Sequence, residues 1–209
     1  MGQDWVDVQV DQWVSVRLPD GYESIDTMGA HTWRSMTNFG TILVLRIPNP
    51  PEANEGLQME TERDLENFYL GVEKGFSENG QVIVERELID MKGLLALRIV
   101  VAIDLGDSTI EFENRSLYLD DLHYSFQYIP HLHTSNEEGL SLQRASFFDG
   151  IGISSGTKRE DQYQRSAENS LAYRMGKLVG SLIIPVILVV VIISFVLRWQ
   201  KQKFKRLEA

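Results

Sequence analysis

Residues 178–197, "LVGSLIIPVILVVVIISFVL", constrain this chain more than any other stretch, because twenty positions pass without one charged side chain. A helix rises ~1.5 Å per residue, so twenty residues cover the ~30 Å hydrocarbon core of a bilayer. Only Gly180, Ser181, Pro185 and Ser194 interrupt the run, and no polar stripe recurs that would mark a helix buried in a soluble core. The sequence therefore predicts one transmembrane helix over residues 177–198. Pro185 removes one backbone hydrogen bond, which predicts a slight kink of the kind membrane helices tolerate.

What precedes the span has a different character. About 155 residues suffice to bury a core without staples. The chain has no cysteine, which excludes a disulfide framework, a thiolate metal site and a cysteine nucleophile. Residues 1–155 hold 26 Asp or Glu against 10 Lys or Arg, a net charge of −16, whereas residues 198–209 carry five basic side chains and one acidic, a net of +4. So acidic a head repels a phosphate backbone, which argues against a nucleic-acid partner, and it also repels an anionic lipid surface. The basic tail is the part that such a surface attracts.

Along the head, Val6, Val8 and Val10 alternate, and "WVSVRLPDGY" sets Val14, Val16 and Leu18 on one face before a Pro-Asp-Gly turn. "TILVLRI" (residues 41–47) reads as a central strand that "PNPP" ends. The period then changes: Leu65, Phe68, Tyr69, Val72 and Phe76 share one helical face, and Thr61 with Asp64 forms an N-terminal cap. Four strands follow, over residues 82–89, 94–103, 109–119 and 122–129, separated by "DMKG", "DLGDS" and "DD" and paired antiparallel. Ser135 and Glu138 match a capping box for a second helix, whose apolar face holds Leu140, Phe147, Phe148 and Ile151.

These elements predict an α+β fold: an antiparallel sheet of about six or seven strands packed by two main helices. The head spans residues 3–153, a polar tether 154–176, the membrane helix 177–198 and a basic tail 199–209. The tether begins "SSGTKREDQYQRSAEN" and has no apolar stripe.

The order of elements carries a resemblance. "VSVRLPDGY", a helix, "VIVERELIDMKGLLALRIV" with Gly93 at a hairpin, "RSLYLDDLHYSFQYI" and a last helix ending "FFDGI" together resemble the PsbP-like domains over residues 13–153. The resemblance implies the fold just described and a small accessory or binding domain. It brings no shared catalytic residues, so none is carried over. Many bacterial relatives are anchored near the N-terminus, whereas the membrane-length run here lies at the other end.

The residues that could carry chemistry are few. "HLH" sets His131 and His133 on one side of an extended chain, and with His123 upstream they form the candidate metal ligands. Pro130 interrupts the strand and no further ligand has recognisable spacing, so solvated loop histidines are the plainer reading. Glu111 and Glu113 alternate with Ile110 and Phe112 as the solvent face of a strand would, and Asp120-Asp121 occupies a hairpin turn. Ser154 and Ser155 lack the Gly-x-Ser-x-Gly elbow, and no phosphate-cradling glycine pattern occurs. Asn114-Arg115-Ser116 spells a glycosylation triplet of a kind that recurs by chance. Trp5, Trp13, Trp33, Tyr22, Tyr118, Tyr124 and Tyr128 could line a groove, but Leu122, Tyr124, Phe126 and Tyr128 alternate as a sheet face packed under a helix does.

The function these readings favour is that of a membrane-tethered, non-enzymatic accessory domain that binds a protein or small ligand at the membrane surface, with no cofactor. The alternative is a metal-assisted hydrolase using His123, His131 and His133. Basic residues 198–206 place the tail in the cytoplasm and the head outside it, which needs an export signal before "QDWVDV". The other topology is a tail-anchored protein with a cytoplasmic head.

Overall fold

A computed structural model of the chain describes residues 4–27, 30–48, 61–132, 134 and 136–162. The strands are β1 (Trp5–Gln9), β2 (Val14–Pro19), β3 (Glu23–Thr27), β4 (Ala30–Met36) and β5 (Gly40–Pro48). After helix α1 (Glu62–Glu78) come β6 (Val82–Met91), β7 (Leu94–Asp104), β8 (Thr109–Leu119) and β9 (Leu122–Pro130). Helix α2 (Glu137–Asp149), the two-residue β10 (Gly152–Ile153) and a 3-10 turn at Arg159–Gln162 complete the described chain.

The fold is α+β, and its strands divide between two antiparallel sheets. Seven strands run in the order β3-β4-β5-β9-β8-β7-β6, and three in the order β1-β2-β10. The single sheet expected from the sequence is therefore corrected: its first two strands leave to form the smaller sheet. β3 and β4 supply two strands that the sequence reading did not predict.

Each face of the large sheet buries a core of its own. On one, α1 lays Phe68, Tyr69, Val72 and Phe76 against Leu95, Leu97, Ile99, Val101 and Phe112. On the other, Val14, Val16 and Leu18 of the small sheet and Phe147 and Phe148 of α2 pack on Ile42, Val44, Leu117, Tyr124 and Phe126. Three layers result, which accounts for a seven-stranded sheet whose central strands are buried on both faces. The strand face holding Tyr124, Phe126 and Tyr128 thus lies under a sheet as well as a helix. Trp33 belongs to this core, with Trp5, Trp13 and Tyr22 half-buried at its margin.

Local chemistry fixes the ends. Thr61 caps α1 through a capping box: its side chain accepts from the Asp64 backbone, and the Asp64 carboxylate accepts from the Thr61 backbone at 3.0 Å. For α2 the cap is Asn136, whose side chain accepts from Gly139 N at 2.8 Å, in place of the expected Ser135 and Glu138. The hairpin turns fall where expected, with Lys92 and Gly93 at φ 55° and 90°, and Asp120 and Asp121 at φ 52° and 58°. Both central residues left-handed is the two-residue turn that matches strand twist.

Candidate functional site

Cross-strand register assembles a polar patch inside the α1 side of the large sheet. Residues paired across strands share a face, so Arg34, Leu43, Gln127 and Asn114 form one row and Thr32, Leu45, Ser125 and Ser116 the next. His123, paired with Ile47 and Tyr118, begins a third. The polar members are all buried. Some satisfy one another: Ser125 donates to Asn114 Oδ1 at 2.5 Å, Asn114 to Ser116 at 2.9 Å and Gln127 to Ser125 at 2.9 Å. Others do not, for Thr32 Oγ1, Arg34 Nε and Gln127 Oε1 have no hydrogen-bond partner among the described residues.

Asn114 is fully enclosed in this network, so its glycosylation triplet is no surface site. His123 is also completely buried, edge-on to Phe68 with ring centroids 5.5 Å apart, and neither ring nitrogen has a partner among the described residues. Burial disfavours the charged imidazolium and pushes the pKa down to about 3.

The candidate metal ligands are not brought together. His123 sits near the start of β9 and His131 just beyond its end, eight residues on, roughly 26 Å at the ordinary strand rise. His133 lies outside the described residues. His131 lines a cleft of about 350 Å³ with Thr109, Glu111, Thr134 and Glu137. Among the described residues no three His, Asp or Glu side chains converge as a metal site.

Glu113 corrects the expected solvent face. Glu111 is exposed, but Glu113 is 4% exposed and its carboxylate meets Arg115 Nε at 2.9 Å, Arg98 Nε at 3.1 Å and Arg144 Nε at 4.0 Å. The guanidinium of Arg115 lies 4.1 Å from the centre of the Phe148 ring. This ion cluster ties β7 and β8 to α2. Strand alternation alone could not reveal it, because both faces of β8 are covered.

The sequence reading also missed a second arrangement, on the outer hairpin of β3 and β4. Asp26 faces His31 directly and Ser24 faces Trp33. His31 Nδ1 lies 2.6 Å from Asp26 Oδ1, and His31 Nε2 lies 2.7 Å from Ser24 Oγ. A carboxylate only accepts, so Nδ1 carries a proton, and in the tautomer protonated there alone Nε2 accepts from the Ser24 hydroxyl. Serine, imidazole and carboxylate are thus connected in the order that nucleophilic hydrolases use. No glycine elbow marks Ser24, so only the cross-strand register exposes the grouping.

No protein-family model matches the chain, and no curated protein sequence does. Among solved structures, the fold is similar to the solution structure of cyanobacterial PsbP (CyanoP) from Synechocystis sp. PCC 6803. That match has a TM-score of 0.52 at 10% identity and covers 74% of this chain and 95% of that one. A Bacteroides thetaiotaomicron crystal structure gives 0.38 at 8% identity, covering 69% and 46% of the two chains. Protein PA94 of Pseudomonas aeruginosa, of unknown function, gives 0.35 at 10% identity, covering 68% and 92%. The first similarity is one of fold alone: the head shares the α+β fold of PsbP, as the sequence resemblance implied.

Proposed function

We propose that this chain is an accessory domain, held at a membrane by residues 177–198, that binds a protein or small ligand at the bilayer surface. The observation that carries this reading is where the head lets go of the chain. Gln162 accepts from Leu95 N at 2.8 Å and donates to the carbonyls of Leu95 at 2.9 Å and Tyr118 at 2.8 Å. Arg159 pairs with Glu62 at 2.6 Å. Only residues 163–177 then separate this lock from the apolar run. Fully extended they reach ~50 Å, so a span at 178–197 keeps the head close to the bilayer. Among the described residues no helix is long and apolar enough to cross a membrane; residues 178–197 lie outside them.

The basic tail favours the cytoplasmic side, which puts the head outside.

Membrane fractionation and protease protection test the reading together. The full chain is expected in the carbonate-resistant membrane fraction. Ile187→Asp, which puts a charge near mid-span at a cost of ~2.5–3.5 kcal/mol, is expected to shift it to the soluble fraction. Protease added to intact cells, or to spheroplasts where an outer membrane exists, is expected to digest the head. A head protected until the cytoplasmic membrane is broken reverses the topology, and a wild-type chain in the soluble fraction ends the tether reading.

A further inference from the structure

The geometry points to Ser24 as an acyl-accepting nucleophile, activated by His31 and positioned through Asp26. This goes beyond the binding role proposed above and does not depend on it. The proton on Nδ1 is committed to Asp26 at 2.6 Å, which leaves the Nε2 lone pair facing the Ser24 hydroxyl at 2.7 Å. The Trp33 ring packs against the imidazole with centroids 4.2 Å apart at 54°, which restrains rotation of His31 and keeps Nε2 on Ser24.

Position supplies the remaining requirement. β3 is the edge strand of the seven-stranded sheet among the described residues, so alternate residues along it carry N–H groups with no strand partner there. Either Ser24 itself or its neighbours Glu23 and Ile25 therefore present an outward N–H, the kind of donor that an oxyanion needs. Asp26 is 84% exposed at the side chain and His31 35%, so small acyl donors reach the site without a deep cleft.

The substrate class that fits is a small, activated carboxylic ester. Ser24 Oγ attacks the acyl carbonyl while His31 Nε2 takes the hydroxyl proton. The Oγ–C bond forms, the bond to the leaving oxygen breaks, and the aryloxide departs. The imidazolium then gives its proton to solvent. Water, deprotonated by the same imidazole, later releases the acyl group as a carboxylate and restores the serine. Weak activation at an open surface predicts slow turnover with an initial burst of about one leaving group per chain.

The test uses the full chain in detergent with p-nitrophenyl acetate, followed by stopped-flow release of nitrophenolate and by peptide mass mapping. Wild type is expected to gain one acetyl group on Ser24. Ser24→Ala should lose both the burst and that adduct. His31→Ala should slow acetylation tenfold or more, because a positioned base contributes at least that much. Asp26→Asn, acting only through His31, should slow it less than His31→Ala. Ser24 and Asp26 lie on the exposed edge, and an unchanged circular dichroism spectrum confirms that each variant folds. The proposal is overturned if Ser24 is acetylated no faster than the other serines, or if His31→Ala leaves its rate unchanged.

Discussion

His123 shows how one side chain sets a pH limit. With its ordinary pKa near 6.5 in the unfolded chain and about 3 when folded, the imidazole is neutral inside and takes up a proton only on unfolding. Stability from this group is complete above pH 6.5 and is lost as pH falls from there towards 3, by up to ~1.4 kcal/mol per pH unit. His123→Leu removes both unpartnered ring nitrogens together with this titration. Urea unfolding at pH 7 and at pH 4.5 is expected to show wild type losing ~2–3 kcal/mol more than the variant over that interval. Equal losses would mean that His123 is reached by solvent in the folded state. Tyr128 is perturbed in the same direction relative to its charged form: burial pushes it up to about 12, against the pull of Thr37 and Arg144.

At the scale of elements, the hairpin turn between β6 and β7 has an avoidable cost. Lys92 stands at φ 55°, where an L side chain with no local hydrogen bond to offer is disfavoured by ~1–2 kcal/mol, while Gly93 at φ 90° is at ease. Lys92→Asn produces the Asn-Gly pair that this turn prefers and is expected to raise stability by ~0.5–1 kcal/mol, read as a higher urea midpoint at unchanged slope. The turn was legible because "DMKG" breaks two long strand patterns. So was α1, whose apolar residues keep a helical period and whose cap is spelled by Thr61 and Asp64. β3 was not, since "ESIDT" on an open edge buries too little to show a pattern. β4 was hidden for the opposite reason: with Thr32, Trp33, Arg34 and Ser35 all buried, neither face alternates. The same blindness concealed Glu113 and the polar rows, because a strand covered on both sides gives alternation nothing to separate. Ser24 and His31 escaped because their meeting depends on a register that exists only once β3 and β4 pair.

The whole molecule depends on how the small sheet is fastened to the large one. Asp11, in the turn between β1 and β2, accepts from the Tyr124 hydroxyl at 2.6 Å and Arg46 Nε at 2.8 Å, both on the large sheet. Its other oxygen accepts from the backbone of Trp13 at 2.9 Å and Val14 at 3.1 Å. Trp13 in turn donates to Asp120 at 2.9 Å. Asp11→Ala strands the buried Tyr124 phenol and the half-buried Arg46 guanidinium, so a loss of ~3 kcal/mol in denaturant unfolding is expected, larger than for Asp11→Asn, which keeps an acceptor. A loss below ~1 kcal/mol would show that apolar packing alone fastens the sheets.

The strand order also fixes a sequence of events in time. The large sheet consists of two local meanders, β3-β4-β5 and β6-β7-β8-β9, joined only where β5 meets β9. That seam pairs Pro48 with Leu122 and Gly40 with Pro130, so no residue in it finds its partner nearby in the chain. Such pairing is what slows β-rich domains to milliseconds or seconds when they fold from the complete chain. During synthesis the delay is longer. Once β5 has emerged, the ribosome must still add more than seventy residues before β9 follows, about 4–15 s at ~5–20 residues per second. For that interval "TILVLRI" stands as an open, apolar strand edge on the nascent chain, which makes it the segment with most need of a holding chaperone.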